Sequence, residues 1–198
     1  MADEGPVVLC VVGSLQPGSA TSVCLAHLAG LLVQAGVRTN LLDLARSPLP
    51  IFLPEGAAAT PGYQQVKSQV TQADVLVLGT PDYHGCMSGA LKNLLDYFWA
   101  ELAGRLVVPL VVSNEKGLTV LDQIRTVARQ CYAWALPYGV SVAEKEDIKA
   151  GTIVGDALRR RLDMVARDIR VYGALLAAQR RADLAGSDPG FLARYRSG

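Results

Sequence analysis

Three short runs, each without a charged residue, constrain this chain most. Val7-Val8-Leu9-Cys10-Val11-Val12 is apolar at every position and ends at Gly13-Ser14. Val75-Leu76-Val77-Leu78 ends at Gly79, and Leu106 to Val112 is interrupted only by Pro109. Runs of this length are too short for a capped helix, and unbroken hydrophobicity marks strands buried on both faces, the habit of parallel sheets. Pro109 lacks an N–H and belongs at an edge, or where nothing is left unpaired, so the extent of its strand is open. Between the runs the period changes to that of a helix. Leu25, Leu28 and Leu32 share one face before Gly36, and a shorter helix is expected around Val66 to Thr71. Leu91, Leu94, Leu95 and Phe98 repeat the spacing, as do Leu121, Ile124, Ala128, Cys131 and Ala135, and then Leu158, Leu162, Val165, Ile169, Tyr172 and Leu176. With Val37 to Leu42 as a second strand and Tyr138 to Val142 as a fifth, strands alternate with helices. The expected fold is α/β, a doubly wound, five-stranded parallel sheet with helices on both faces.

A chain of 198 residues can hold one such domain, and 51% hydrophobic against 19% charged residues argues against disorder. Residues 1–5 and 187–198 read as terminal peptide, and Ser47 to Pro61 as a Pro- and Ala-rich loop. The formal net charge of +1, with dispersed Lys and Arg, offers no field for a nucleic acid. No apolar run approaches the roughly 20 residues of a membrane span. Acidic residues stand where a signal peptide carries Lys or Arg. Cys10, Cys24, Cys86 and Cys131 form no CxxC pair and suit a reducing cytoplasm. His27 and His84 have no ligand cluster around them, so no metal is expected.

In an open α/β sheet, ligands gather beyond the carboxyl ends of the strands, near the switch in strand order. The loop after the first strand, Gly13-Ser14-Leu15-Gln16-Pro17-Gly18-Ser19-Ala20-Thr21-Ser22, leads straight into a helix. Its hydroxyls and free N–H groups suit a phosphate at the positive end of a helix dipole; the alternative is a turn with a Ser or Thr cap. Neither GxGxxG nor GxxxxGK[ST] is present, which disfavours a dinucleotide-binding Rossmann domain and a P-loop NTPase. A receiver domain needs acidic residues after the first strand and an Asp after the third. Val11-Val12-Gly13 and Gly79-Thr80-Pro81 do not supply them.

The loop after the third strand is more distinctive. Pro81 and Tyr83, then Gly89, Leu91-Lys92-Asn93 and Asp96, resemble the PxYxxxxxGxLKNxxD signature of the NADPH-dependent FMN reductase family. Gly13-Ser14 through Ser19 resembles that family's GSxRxxS first loop. The resemblance implies a flavodoxin-like fold binding FMN. The phosphate would lie at Ser14, Gln16, Ser19, Thr21 and Ser22, and the isoalloxazine ring along Pro81, Asp82, Tyr83, His84 and Gly85. Ser113 and Gly117 would join from the loop after the fourth strand. It further implies hydride transfer from NAD(P)H to FMN, and then to a quinone, free flavin, azo compound or metal oxyanion. Such chemistry belongs to the cofactor and requires no general acid or base, so no catalytic side chain is assigned beyond Tyr83 and His84 lining the ring. Family members are often homodimers or homotetramers, and a similar assembly is expected.

Gln16 stands where the family commonly carries Arg, leaving the phosphate to hydroxyls and helix amides. The loop Ser113-Asn114-Glu115-Lys116-Gly117 lacks the family's frequent Gly-Gly pair. Lys92 and Asn93 are read as bracing their loop, Lys116 as solvated, and Cys86 as a buried bystander. Tyr97-Phe98-Trp99 and Trp134 are read as core. The competing reading is a noncatalytic flavodoxin-like FMN binder or electron carrier without nicotinamide access.

Overall fold

A computed structural model describes residues 5–56, 62–114 and 116–196. Residues 1–4 of the expected N-terminal peptide, 57–61 of the expected loop, Glu115 and residues 197–198 lie outside the described residues. The elements run β1 (Val8–Val12), α1 (Ala20–Gln34), β2 (Thr39–Asp43), α2 (Tyr63–Gln72), β3 (Val75–Tyr83), β4 (Cys86–Met87) and α3 (Gly89–Tyr97). They continue with β5 (Leu106–Ser113), α4 (Leu118–Gln130), β6 (Trp134–Ala135), β7 (Val140–Ala143), α5 (Glu144–Asp147), β8 (Ile148–Lys149) and β9 (Thr152–Ile153). The chain closes with α6 (Asp156–Asp168), a π-helical turn at Ile169–Gly173, and α7 (Ala174–Ala185).

The main sheet is parallel in the order β2-β1-β3-β5, and β6 and β7 share the fifth position. The doubly wound α/β architecture expected from the alternation is therefore present. Successive residues of each strand point to opposite faces, and in β1, β5 and the first six residues of β3 both faces are buried. Val8, Cys10 and Val12 meet α1 and α6, while Leu9 and Val11 belong to the core under α2, α3 and α4. Continuous apolarity along β1 thus follows from having a core on each side.

Pro109 lies in mid-strand, paired through register with Leu78 of β3, rather than at an edge. Its missing N–H falls where the fifth strand is broken. Leu106 and Val107 pair with β6, Leu110 to Ser113 pair with β7, and Val108 and Pro109 have no partner on that side. Gly139 passes this gap so closely that a Cβ there would lie 3.1 Å from both the Pro109 ring and its carbonyl oxygen. The fifth strand expected at Tyr138 to Val142 is present as β7, and a separate short piece, β6, shares its position in the sheet. The final amphipathic run is also interrupted, by the π turn, where Gly173 lies against Val75.

Within residues 187–196, expected as terminal peptide, a 3₁₀ turn at Phe191–Tyr195 buries Leu192 against Gly104. Arg105, 4% exposed, caps the carboxyl end of α2 by donating to the Val70 and Thr71 carbonyls. Burial, and then the neighbouring Arg180, lower its pKa to about 10. Tyr97 and Phe98 are core as expected. Trp99 and Trp134 are not, being 61% and 50% exposed.

Candidate functional site

β1, β3 and β5 are neighbours in parallel register, so the loops that follow them meet at one end of the sheet. At the first loop, Gly13 N donates to Gly79 O at 2.8 Å. A Cβ on Gly13 would stand 2.6 Å from that same oxygen, so only glycine permits this approach. Ser14 is buried and its Oγ accepts the Gln16 N–H at 3.3 Å. Ser19 caps α1, its Oγ accepting from Ser22 N at 3.2 Å, and Ser22 Oγ donates back to the Ser19 carbonyl at 2.7 Å. Thr21 is buried, with its methyl group beside Gly79. Gln16 and Gly18 are exposed on the rim of a cleft of about 800 Å³, which Ser22, Arg46 and Ser47 also line.

The loop after β3 is more ordered than its sequence suggests. β3 continues through Tyr83, reverses over His84 and Gly85, and returns as β4, pairing Asp82 with Met87 and Tyr83 with Cys86. His84 and Gly85 both have positive φ, 58° and 76°, as a two-residue type I′ reversal demands. Side chains hold the hairpin at several points. Asp82 Oδ1 accepts from Gly85 N at 2.8 Å, and its Oδ2 accepts from Ser113 Oγ at 3.1 Å. Gln123 of α4 accepts from Met87 N at 3.0 Å and donates to Gly85 O at 3.0 Å. Ser88 donates from Oγ to Gly13 O at 2.6 Å and caps α3 by accepting from Leu91 N at 3.1 Å. Thr80 Oγ1 accepts from Ser88 N at 2.9 Å. The first and third loops are thus fastened to each other through buried hydroxyls.

Asn93 is a brace, as its place in the helix suggests. Its Oδ1 accepts from Phe52 N at 2.8 Å, and its Nδ2 donates to the Leu49 and Pro50 carbonyls at 3.2 and 2.8 Å. Lys92 lies on the outside, paired with Asp96 at 2.5 Å. Between the hairpin and the β5–α4 loop lies a second cleft, of about 670 Å³, lined by Asp82, Gly85, Ser113, Lys116, Gly117 and Leu118, among others. Gly117, at φ +57, precedes α4 without a side-chain cap. The first amides of this 13-residue helix therefore face the cleft with the positive end of its dipole.

The expected residues divide by position. Ser14, Gln16, Ser19, Thr21 and Ser22 surround the start of α1. Asp82, Gly85, Ser113 and Gly117 line the second cleft, while Tyr83, 52% exposed, and His84 stand on the outer hairpin. Pro81 ends the buried stretch of β3. Cys86 is exposed rather than buried, with Sγ 3.6 Å from Gln123 Nε2. Gln123 escaped the sequence reading because its spacing is that of any polar position on an amphipathic helix. The hairpin's own amides are largely consumed, since Gly85, Met87 and Ser88 N–H all have side-chain acceptors. The donor set fits FMN nonetheless: hydroxyls and amides at α1 for a phosphate, and uncapped α4 amides for an electronegative ring edge.

The model of a family described as NADPH-dependent FMN reductase matches residues 6–147. An FMN-dependent NADPH-azoreductase of Staphylococcus haemolyticus (strain JCSC1435) is 30% identical over 148 residues, covering 70% of this chain and 77% of that protein. Its counterpart in Staphylococcus aureus (strain USA300) is 28% identical over 151 residues, covering 71% and 79%. Among solved structures, a flavoenzyme NAD(P)H:(acceptor) oxidoreductase from Paracoccus denitrificans superposes with a TM-score of 0.68 at 16% identity. The match covers 88% of this chain and 98% of that one. A Streptococcus pneumonia flavodoxin gives 0.59 at 14% identity, covering 84% and 99%.

Proposed function

This chain belongs to the NADPH-dependent FMN reductase family, and from that premise we propose how its residues hold the flavin and admit the nicotinamide. It is an FMN-dependent NAD(P)H oxidoreductase with a flavodoxin-like fold. When bound, FMN accepts hydride from the nicotinamide and passes electrons to a small acceptor.

The observation that carries the reading is the joining of the first and third loops through Gly13, Thr80 and Ser88. This brings the start of α1 beside the hairpin and the β5–α4 loop. Ser14, Ser19 and the first amides of α1 would hold the phosphate, with Ser22 turning its hydroxyl from the Ser19 carbonyl to join them, and Gln16 would offer a neutral amide at the rim. Thr21, whose methyl group lies against Gly79, would complete the phosphate site from the first turn of α1. Tyr83, His84 and Gly85 present the ring-side surface from one wall, with Pro81 and Asp82 setting its position. Ser113, Gly117 and the α4 amides face the ring edge from the other, where a helix terminus favours developing negative charge. Asp82 serves as a strut, because both of its oxygens are occupied by the two walls.

The acceptor falls within the family's range: quinones, free flavin, azo compounds or metal oxyanions. The similarity to FMN-dependent NADPH-azoreductases favours testing azo compounds first. We further propose a homodimer or homotetramer, supported by the exposed Leu15 and Ile51 beside the first loop, and a cytoplasmic location. No helix among the described residues is long and apolar enough to cross a membrane.

Equilibrium titration of the flavin-free protein with FMN and with riboflavin tests the site. Ser19→Ala weakens FMN binding while sparing riboflavin, and Tyr83→Ala weakens both by about tenfold, as expected for loss of aromatic contact worth about 1 kcal/mol. Unchanged FMN affinity in both variants contradicts the assignment.

A further inference from the structure

The ring-side cleft does not end at Leu118. The same residue lines an adjoining cleft of about 440 Å³ that runs between α4, β7 and α6. The two are also joined by a hydrogen bond, since Ser141 of the outer cleft donates from Oγ to the Lys116 carbonyl of the ring-side cleft at 2.6 Å. This outer cleft carries two arginines. Arg161 lies over the Tyr138 ring, 5.2 Å from its centroid, and the Tyr138 hydroxyl donates to the buried Asp168 at 2.6 Å. Its guanidinium is thereby positioned by a fixed aromatic plane, and among the described residues no carboxylate pairs with it. Arg125 is held by Asp122 at 2.8 Å, with a second nitrogen 3.4 Å from the Pro137 carbonyl. The cleft also holds one carboxylate, Asp147, whose Oδ2 accepts from Ala143 N at 2.9 Å. Lys116, at the junction, has no carboxylate partner among the described residues.

Lys116 and Arg161, cations without a carboxylate partner among the described residues, with the Asp122-paired Arg125 beside them, suit a ligand whose reacting ring is tethered to phosphates. We propose that the cleft between α4, β7 and α6 binds the phosphate-bearing adenosine half of the nicotinamide dinucleotide, with Arg161 and Arg125 as its anchors. The inference rests on the ring-side cleft being the place where the nicotinamide meets the flavin. Planar guanidinium groups pair with phosphate oxygens in bidentate fashion, and stacking on Tyr138 limits the freedom lost on doing so. Lys116 contributes a point charge at the passage between the clefts. Both arginines would act in binding the dinucleotide rather than in the hydride step itself.

The test uses the FMN-loaded protein with three donors: NADPH, NADH and reduced nicotinamide mononucleotide, which lacks the adenosine half. Arg161→Ala and Arg125→Ala should each raise KM for the dinucleotides, about tenfold for NADPH, while kcat and the mononucleotide's KM stay unchanged. Arg161→Lys should recover part of the loss. Calorimetric binding of 2′,5′-ADP to the flavin-free protein should weaken in parallel, a readout independent of turnover. Unaltered dinucleotide KM, or an equal rise for the mononucleotide, overturns the proposal. Failure of the underlying site assignment would look different, because Tyr83→Ala would then leave the KM of all three donors, the mononucleotide included, at the wild-type value.

Discussion

Asn93 shows how a signature residue can be structural. It satisfies three backbone groups of the segment Leu49–Phe52, which has no regular secondary structure of its own. Truncation leaves those groups without partners, so Asn93→Ala should lower stability by about 2 kcal/mol, read as a shift in the urea midpoint with unchanged slope. This bracing role was legible from the position of Asn93 on the first turns of a helix. The exposure of Cys86 was not, because a cysteine beside glycine and methionine gives no sign of the tight hairpin that turns it outward. The other thiols are buried, and desolvation raises Cys10 and Cys24 to about 12, with Asp147 adding to the effect at Cys24. The native state therefore favours their protonated form. Stability from this source is complete below about pH 9, where unfolded thiols are still protonated, and is lost as pH rises from there toward about 12. Urea midpoints measured between about pH 8 and about pH 10.5 should fall less steeply in a Cys10→Val/Cys24→Ala variant than in the wild type.

Among the elements, β1 and β3 were readable because each is buried on both faces and so apolar at every step. The fifth strand was readable at β7 but not in its second piece, β6, since the division depends on Pro109 in a different strand and on the close passage of Gly139. A sequence records the proline but not which neighbour lies opposite its missing N–H. The hairpin of β3 and β4 was hidden for a related reason. Two positive-φ residues, His84 and Gly85, make the reversal, but its paired stretch is only two residues long and is stabilised by side chains, Asp82 within it and Gln123 from α4. A two-stranded piece this short is marginal alone. Gln123→Ala should therefore release it, lowering stability by about 1–2 kcal/mol and accelerating hydrogen exchange at the Met87 amide. FMN affinity should fall with it, because the ring-side wall loses its fixed position. Exchange at Met87 unchanged from the wild type would show that Asp82 alone holds the hairpin.

Taken whole, the molecule places its chemistry at the carboxyl ends of three adjacent strands, where an open parallel sheet leaves helix amino termini facing a common space. The loops after β1 and β3 announced themselves by glycine, hydroxyl and aromatic residues at fixed spacing. The contribution of α4 did not, since an uncapped helix start is defined by what its first turn lacks, and Gly117 alone resembles any loop glycine. The clefts likewise depend on which loops become neighbours, a property of strand order rather than of local sequence. The most direct measurement is the visible spectrum of the purified protein after FMN addition and desalting, followed by anaerobic addition of NADPH or NADH. The account predicts that yellow colour is retained through desalting and bleaches when the nicotinamide is added. Loss of the colour on desalting would contradict the flavin site, and retained colour that neither nicotinamide bleaches would contradict the oxidoreductase and leave a carrier.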